Sequence, residues 1–327
     1  MTRADDAPAP DGDLAADVAA RLGPRHPAFL AVVLEREGAR IAVHGAALDD
    51  DVEIGSISKG VTGLLYADAL ERGEVTPAST LGEHLPELAG SPAAAVTLAS
   101  LAVHRSGIAS LPRLAQPVRR TLALLRHGRN PYGDTLDELL RQVRGEKLGS
   151  PRPRYSNTGF ELLGHAVARA AGTRYPQLVS ARIAGPLGLD GAYVPASVAE
   201  LRPGALTGTT RRGRPREPWT GEGLGPAGGL RMTVVDLARL LVALRDGTAP
   251  GMAALDPIES FQGSRIGAGW ITTAFPGRTL TWHNGGTGGF RSWLGVDRSA
   301  GVGAAIVTAT TISVDRVGVG LVPAPRG

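Results

Sequence analysis

The placement of its strand signals constrains this chain most. Near the end, "AGWITTAF", "RTLTWHN", "FRSWLGVD" and "GAAIVTAT" are four short strand-like runs joined by Gly, Pro and Asp turns. They predict an antiparallel meander. The other strand signals lie near the opposite end. There "AFLAVVLEREGARIAVHG" reads as two strands around a turn at Glu37-Gly38. Between the two regions the pattern is helical. A helix is predicted from near Ser56 to about Arg72-Gly73, and residues 74–200 are mostly helices and loops, among them "TLASLAVH", "RTLALLRHG", "TLDELLRQVRG" and "NTGFELLGHAVARAAG". "DLAADVAARLG" (13–23) spaces Leu14, Val18 and Leu22 on one helix face and stops at Gly23. "TVVDLARLLVALRDG" (233–247) is a second amphipathic helix, capped by Thr233 and ended by Gly247.

The simplest fold with this order is α/β (α+β): an antiparallel sheet built from both chain ends, with an all-helical insertion. The expected organisation is a flexible tail at 1–12, a sheet domain from 13–55 and 225–327, and a helical domain at 56–224. The site is expected at the junction. The closing "TATTISVDRVGVGLVPAPRG" is a weak helix former, because Gly318, Gly320 and Pro323 interrupt it.

Several function classes drop out. Cysteine is absent, which removes disulfides, thiol catalysis and cysteine zinc sites. The seven histidines show no ligand-like pairing, so no metal or other cofactor is expected. The net charge is +4, with arginines scattered except in "TTRRGRPREP" (209–218). That cluster holds no aromatic on which a base could stack and reads as an exposed, partly flexible loop. "GLGPAG" (223–228) fits a dinucleotide-loop spacing but follows no strand, and is rejected. No run approaches a membrane span, and the first residues lack the apolar core of a secretory signal. The expectation is therefore a cytoplasmic protein with neither nucleic acid nor membrane as partner.

Three short motifs could carry chemistry. Of the 35 lysines and arginines only Lys59 and Lys147 are lysine. Lys59 stands three residues after Ser56, nearly one helical turn, at a predicted helix start. A serine hydroxyl needs a base to become a nucleophile. Lysine can serve if its pKa falls, whereas arginine keeps its proton. The plain alternative is a serine N-cap followed by a surface lysine. In "RYSNTGFELLG", Tyr155 and Asn157 would share one side of an extended loop, or Ser156, Asn157 or Thr158 simply caps a helix. In "TLTWHNGGTGGFRSWLG", His283 precedes Asn284, Gly285 and Gly286 at a strand end. The glycines would admit a substrate to the backbone, or form an ordinary turn.

Together and in this order, the motifs resemble those of the serine β-lactamase / penicillin-binding-protein superfamily, most of all its class C β-lactamase-related branch of family VIII esterases, D-aminopeptidases and DD-peptidases. "VTLASLAVHRSGI" and "PAGGLRMTVVDLARLLVAL" are similar to further segments of that branch, and the likeness covers roughly residues 30–310. The resemblance implies a sandwich around an antiparallel sheet with a helical domain beside it. It implies Ser56 as the nucleophile that forms an acyl-enzyme, with Lys59 in proton transfer. Tyr155 would act with Lys59 as the base for attack and then as the acid for departure, its own pKa lowered by two cations such as Lys59 and His283. Ser56 and Gly286 would supply the oxyanion-hole N–H groups, and Asn157, His283 and Gly285 would contact substrate. His283 stands where lysine opens the third motif of true β-lactamases, which turns the expectation from carboxylate-bearing drugs toward esters and amides. The expected function is an esterase or amidase/peptidase-like serine hydrolase acting on a small acyl donor. The alternatives are a transacylase or cyclase with a non-water acceptor, a β-lactamase or DD-peptidase proper, and a non-catalytic binding protein.

Overall fold

The computed structural model describes residues 9–324. Asp11 caps helix α1 (Gly12–Leu22) by accepting from the Leu14 N–H at 2.9 Å, and Pro10 bridges Ile41. Of the expected tail, then, residues 10–12 are structured, and residues 1–8 lie outside the described residues. Strands β1 (Phe29–Glu35) and β2 (Gly38–His44) form the hairpin seen in the sequence. A two-residue strand, β3 (Val52–Glu53), leads into α2 (Ile57–Glu71).

The helical region follows. It comprises α3 (Leu81–His84), α4 (Leu98–Ala102), α5 (Pro117–His127), α6 (Leu136–Arg144), α7 (Asn157–Ala170), α8 (Tyr175–Val179), α9 (Gly185–Leu187) and α10 (Gly225–Gly228). The chain then returns through β4 (Arg231–Met232), which pairs with β3, and α11 (Val234–Asp246). It finishes as β5 (Glu259–Phe261), β6 (Ser264–Ile266), β7 (Ile271–Phe275), β8 (Arg278–Gly286), β9 (Arg291–Asp297), β10 (Val302–Thr308) and α12 (Asp315–Leu321).

Eight strands make one antiparallel sheet in the order β2-β1-β10-β9-β8-β7-β6-β5. The two chain ends meet at β1 and β10, where Phe29 opposes Thr308 and Leu34 opposes Gly303. Both faces of these strands are covered, which is why "FLAVVL" is apolar without alternation. Phe29, Ala31 and Val33 pack with Leu14, Val18 and Leu321 of α1 and α12. Leu30, Val32 and Leu34 join the main core with α2 and α11.

Two departures from the sequence reading have physical causes. The closing segment does form a helix, because Gly318 lies flat on Trp293, where an added Cβ would sit 2.6 Å from the indole. Packing there outweighs glycine's low helix propensity. The sheet also extends through β5 and β6, three residues each, too short to show periodicity.

Helix α2 is the centre of the molecule. Every residue from Ile57 to Ala69 is buried, including the polar Ser58, Lys59, Thr62 and Asp68, so the helix is enclosed on all sides. Two glycines let the 268–270 strap close on it. A Cβ on Gly60 would lie 2.6 Å from the Trp270 ring, and one on Gly63 would lie 1.8 Å from the Ala268 carbonyl.

Candidate active site

Gly55 turns the chain into α2 with φ +55°, and a Cβ there would lie 2.7 Å from the Gly286 nitrogen. A Cβ on Gly285 would meet the Ile54 carbonyl at 2.2 Å and the Ser56 nitrogen at 3.0 Å. Segments 54–56 and 285–286 therefore abut backbone to backbone. The main-chain nitrogens of Ser56 and Gly286 come together at the positive end of α2.

Ser56 occupies the N-cap of α2 but caps nothing with its side chain. Its Oγ instead accepts from Lys59 Nζ at 3.1 Å. Ser156 is the contrast. It caps α7 in the ordinary way, accepting from the Gly159 N–H at 2.9 Å. The capping alternative thus holds for the second motif's serine and fails for the first.

Lys59 is fully buried. Its Nζ has three partners: Ser56 Oγ, Asn157 Oδ1 at 2.8 Å and the Ala227 carbonyl at 2.6 Å. Burial brings its pKa down to about 7, with the charge of Glu161 opposing the shift. In the neutral form the amine has two hydrogens and one lone pair. Asn157 Oδ1 and the Ala227 oxygen can only accept, so they take the hydrogens. The lone pair is left for the one partner that can donate, the Ser56 hydroxyl. Burial also pushes Glu161 up to about 8.

Asn157 opens α7, and both ends of its amide have a partner. Oδ1 faces Lys59, and Nδ2 donates to the Tyr132 hydroxyl at 2.7 Å. It holds the lysine rather than standing free for substrate. Tyr155 places its ring 4.8 Å below Lys59 Nζ and 4.6 Å from the His104 ring. Burial raises its pKa, and Ser56 beside its hydroxyl offsets part of the rise. The tyrosinate base needing two nearby cations does not fit. His283 is buried, donates from Nδ1 to the Asn284 carbonyl, and is held down to about 3 by burial and by Lys59. It is neutral and sits behind the site, 6.4 Å from the Tyr155 ring.

Ser56 and Tyr155 open onto a cleft of about 450 Å³ whose lining also includes Trp219, Gly285, Gly286 and Arg291. Four contributors escaped the sequence reading. His104 holds φ +57°, a strained backbone for a non-glycine, and accepts from the Ser156 N–H while stacking on Tyr155. Tyr132 orients Asn157. The "GPAG" run, rejected as a nucleotide loop, forms α10 and supplies the carbonyls of Pro226 and Ala227 to Thr62 and Lys59. Arg291 lies over Gly286, its Nη1 donating to the Thr287 and Phe290 carbonyls at 2.8 and 2.7 Å. The segments that hold His104 and residues 226–229 resemble family segments in the sequence, without a role for any residue in them.

The profile of the Beta-lactamase family matches residues 39–319, most of the chain and all of this site. The chain belongs to the Beta-lactamase family. Within it, a curated beta-lactamase of Escherichia coli K12 is 27% identical over 190 residues, 57% of this chain and 46% of that protein. The D-alanyl-D-alanine-carboxypeptidase/endopeptidase AmpH of the same strain is 31% identical over 161 residues, 46% of this chain and 38% of that one. The chain thus spans less than half the length of these relatives. Among solved structures, D-alanine carboxypeptidase AmpC of Burkholderia cenocepacia superposes with a TM-score of 0.77 at 21% identity, covering 94% of this chain and 97% of that one. A class C beta-lactamase of Rhodobacter sphaeroides does so with 0.75 at 22%, covering 92% and 95%. These superpositions share the fold of this Beta-lactamase family member: a large antiparallel sheet with helices packed on it.

Proposed function

We propose that this member of the Beta-lactamase family is a serine hydrolase that cleaves an ester or amide through an acyl-enzyme on Ser56. One observation carries the reading. The single buried lysine of the chain has its nitrogen 3.1 Å from a serine oxygen that caps nothing, and both of its other partners are pure acceptors.

In this reading, neutral Lys59 takes the Ser56 proton as Oγ attacks the acyl carbon. The carbonyl electrons move onto oxygen, where the Ser56 and Gly286 N–H groups meet the charge. One such donor is typically worth about 3 kcal/mol of barrier. The intermediate collapses by breaking the bond to the leaving group, which departs with the proton from Lys59. Tyr155, protonated by burial, donates a hydrogen bond along that path. Water repeats the sequence in reverse and frees Ser56. The named relatives support the reaction class, and the esterase or amidase assignment is our own.

A second reading has its own support. Neutral His283 leaves the third motif without a cation, but Arg291 brings a guanidinium to the cleft from the neighbouring strand. Burial lowers the pKa of Arg291, and among the described residues it forms no ion pair. A carboxylate on the acyl donor would relieve that, as in the D-alanyl peptides and β-lactams named for the relatives.

Both readings meet one experiment. Intact mass after exposure to a fluorophosphonate, nitrophenyl esters, amino-acid amides and β-lactams should show an adduct on Ser56. Ser56→Ala should abolish it. Adducts that survive that substitution would overturn the assignment, and a preference for carboxylate donors lost in Arg291→Ala would select the second reading.

A further inference from the structure

Helix α5 has no buried residue. Its outer face carries Val118, Leu122 and Leu125 at helical spacing, 72%, 44% and 65% exposed, and Leu114 extends the stripe at 60%. A short helix and the turn before it that together leave four large aliphatic side chains in water have not finished burying them. Arginines adjoin the stripe. Arg119 and Arg126 stand on α5 itself, and Leu125 opens into a groove of about 540 Å³ lined also by Arg126, Arg211, Arg212, Arg214 and Arg216. None of these arginines forms an ion pair among the described residues. The acid next to them in the chain, Glu217, accepts from the Asn130 N–H. Arg120, on the inner side, is neutralised by Asp134.

We propose that α5 and the 209–216 loop dock this protein onto an anionic phospholipid surface. An apolar helix face flanked by arginines suits the boundary between acyl chains and headgroups, where aliphatic side chains enter and guanidinium groups stay with phosphate. A second copy fits less well. Pairing two stripes about a twofold axis would set Arg119 and Arg126 of each copy beside the same unpaired arginines of the other. The sequence reading expected no membrane partner because no segment could span one, but lying on a surface asks only for one amphipathic face. The face also borders the site. Leu124, one residue before Leu125, lines the Ser56 cleft, so α5 separates the cleft from the arginine groove.

The test is flotation of the full chain with vesicles of phosphatidylcholine alone and of phosphatidylcholine mixed with phosphatidylglycerol. Binding is expected to the mixed vesicles only, and to weaken as salt rises. Leu122→Asp with Leu125→Asp, or Arg211→Glu with Arg212→Glu, should each lower partitioning by about tenfold or more. All four residues are exposed and none lines the Ser56 cleft, so melting temperature and turnover of any soluble substrate should be unchanged. A pair that melts early is set aside for the other. No flotation on either vesicle, or flotation that both pairs leave intact, would overturn the proposal. So would a dimer in solution that Leu122→Asp abolishes, which would name a second copy as the occupant. The readout is binding, so it stands or falls apart from any result on acylation.

Discussion

At the scale of single residues, the position that matters most is Lys59. Its pKa near 7 places the working neutral amine above that pH. Acylation measured as kcat/KM should therefore rise with pH through about 7 and then level. Lys59→Arg keeps the charge but cannot give up its proton, so the rising limb should vanish and the rate fall by roughly 10²–10⁴. A variant that keeps the limb would remove Lys59 from the base role. Asn157→Leu deletes one acceptor of the ammonium. That makes the charged form less favourable, so the limb should move to lower pH while the rate falls. A limb that stays put would show that Asn157 does not tune the lysine. The residue scale was half legible in the sequence. Ser56, Lys59, Tyr155 and Asn157 could be picked out because each lies in a short local pattern. His104 could not, because its part depends on a backbone N–H 52 positions away in the chain.

At the scale of elements, α11 was legible in detail. Thr233 and Asp236 form a capping box, and Gly247 ends the helix with φ +70°. These are local rules, and Thr233→Ala should cost about 1 kcal/mol in urea unfolding. Helix α2 was legible in extent but not in its contacts. By propensity alone Gly60 and Gly63 weaken a helix, but the 268–270 strap needs the space they leave. Gly63→Ala improves local propensity, yet its methyl group meets the Ala268 carbonyl. A net destabilisation of about 1–3 kcal/mol is expected, against the sign that helix propensity alone gives. A stabilised Gly63→Ala protein would mean the strap yields freely. The pair β3–β4 was invisible, since two residues carry no period. Its existence rests on Arg231, which is wholly buried between Asp51 and Glu53.

At the scale of the whole molecule, that arginine ties the entry to α2 to the return from the helical region. Arg231→Met would leave two buried carboxylates without their cation, at a cost of about 3–5 kcal/mol. Burial already raises the pKa of Glu53, and loss of Arg231 would raise it further. Protonation relieves the penalty, so the variant should be worse at pH 8 than at pH 5 in denaturant titrations. An equal loss at both would mean the carboxylates escape to water. The sheet built from both chain ends was the part of the architecture that the sequence conveyed best, because the strand runs and the helical middle are separate in the chain. Its pairing has a consequence for synthesis. During translation β1 emerges early and can hydrogen-bond only β2, while its other edge waits for residues 302–308. Nearly the entire polypeptide must leave the ribosome before that edge is covered. A nascent chain stalled before β10 would expose an unpaired, apolar strand edge, which makes late truncations far more harmful than their length suggests.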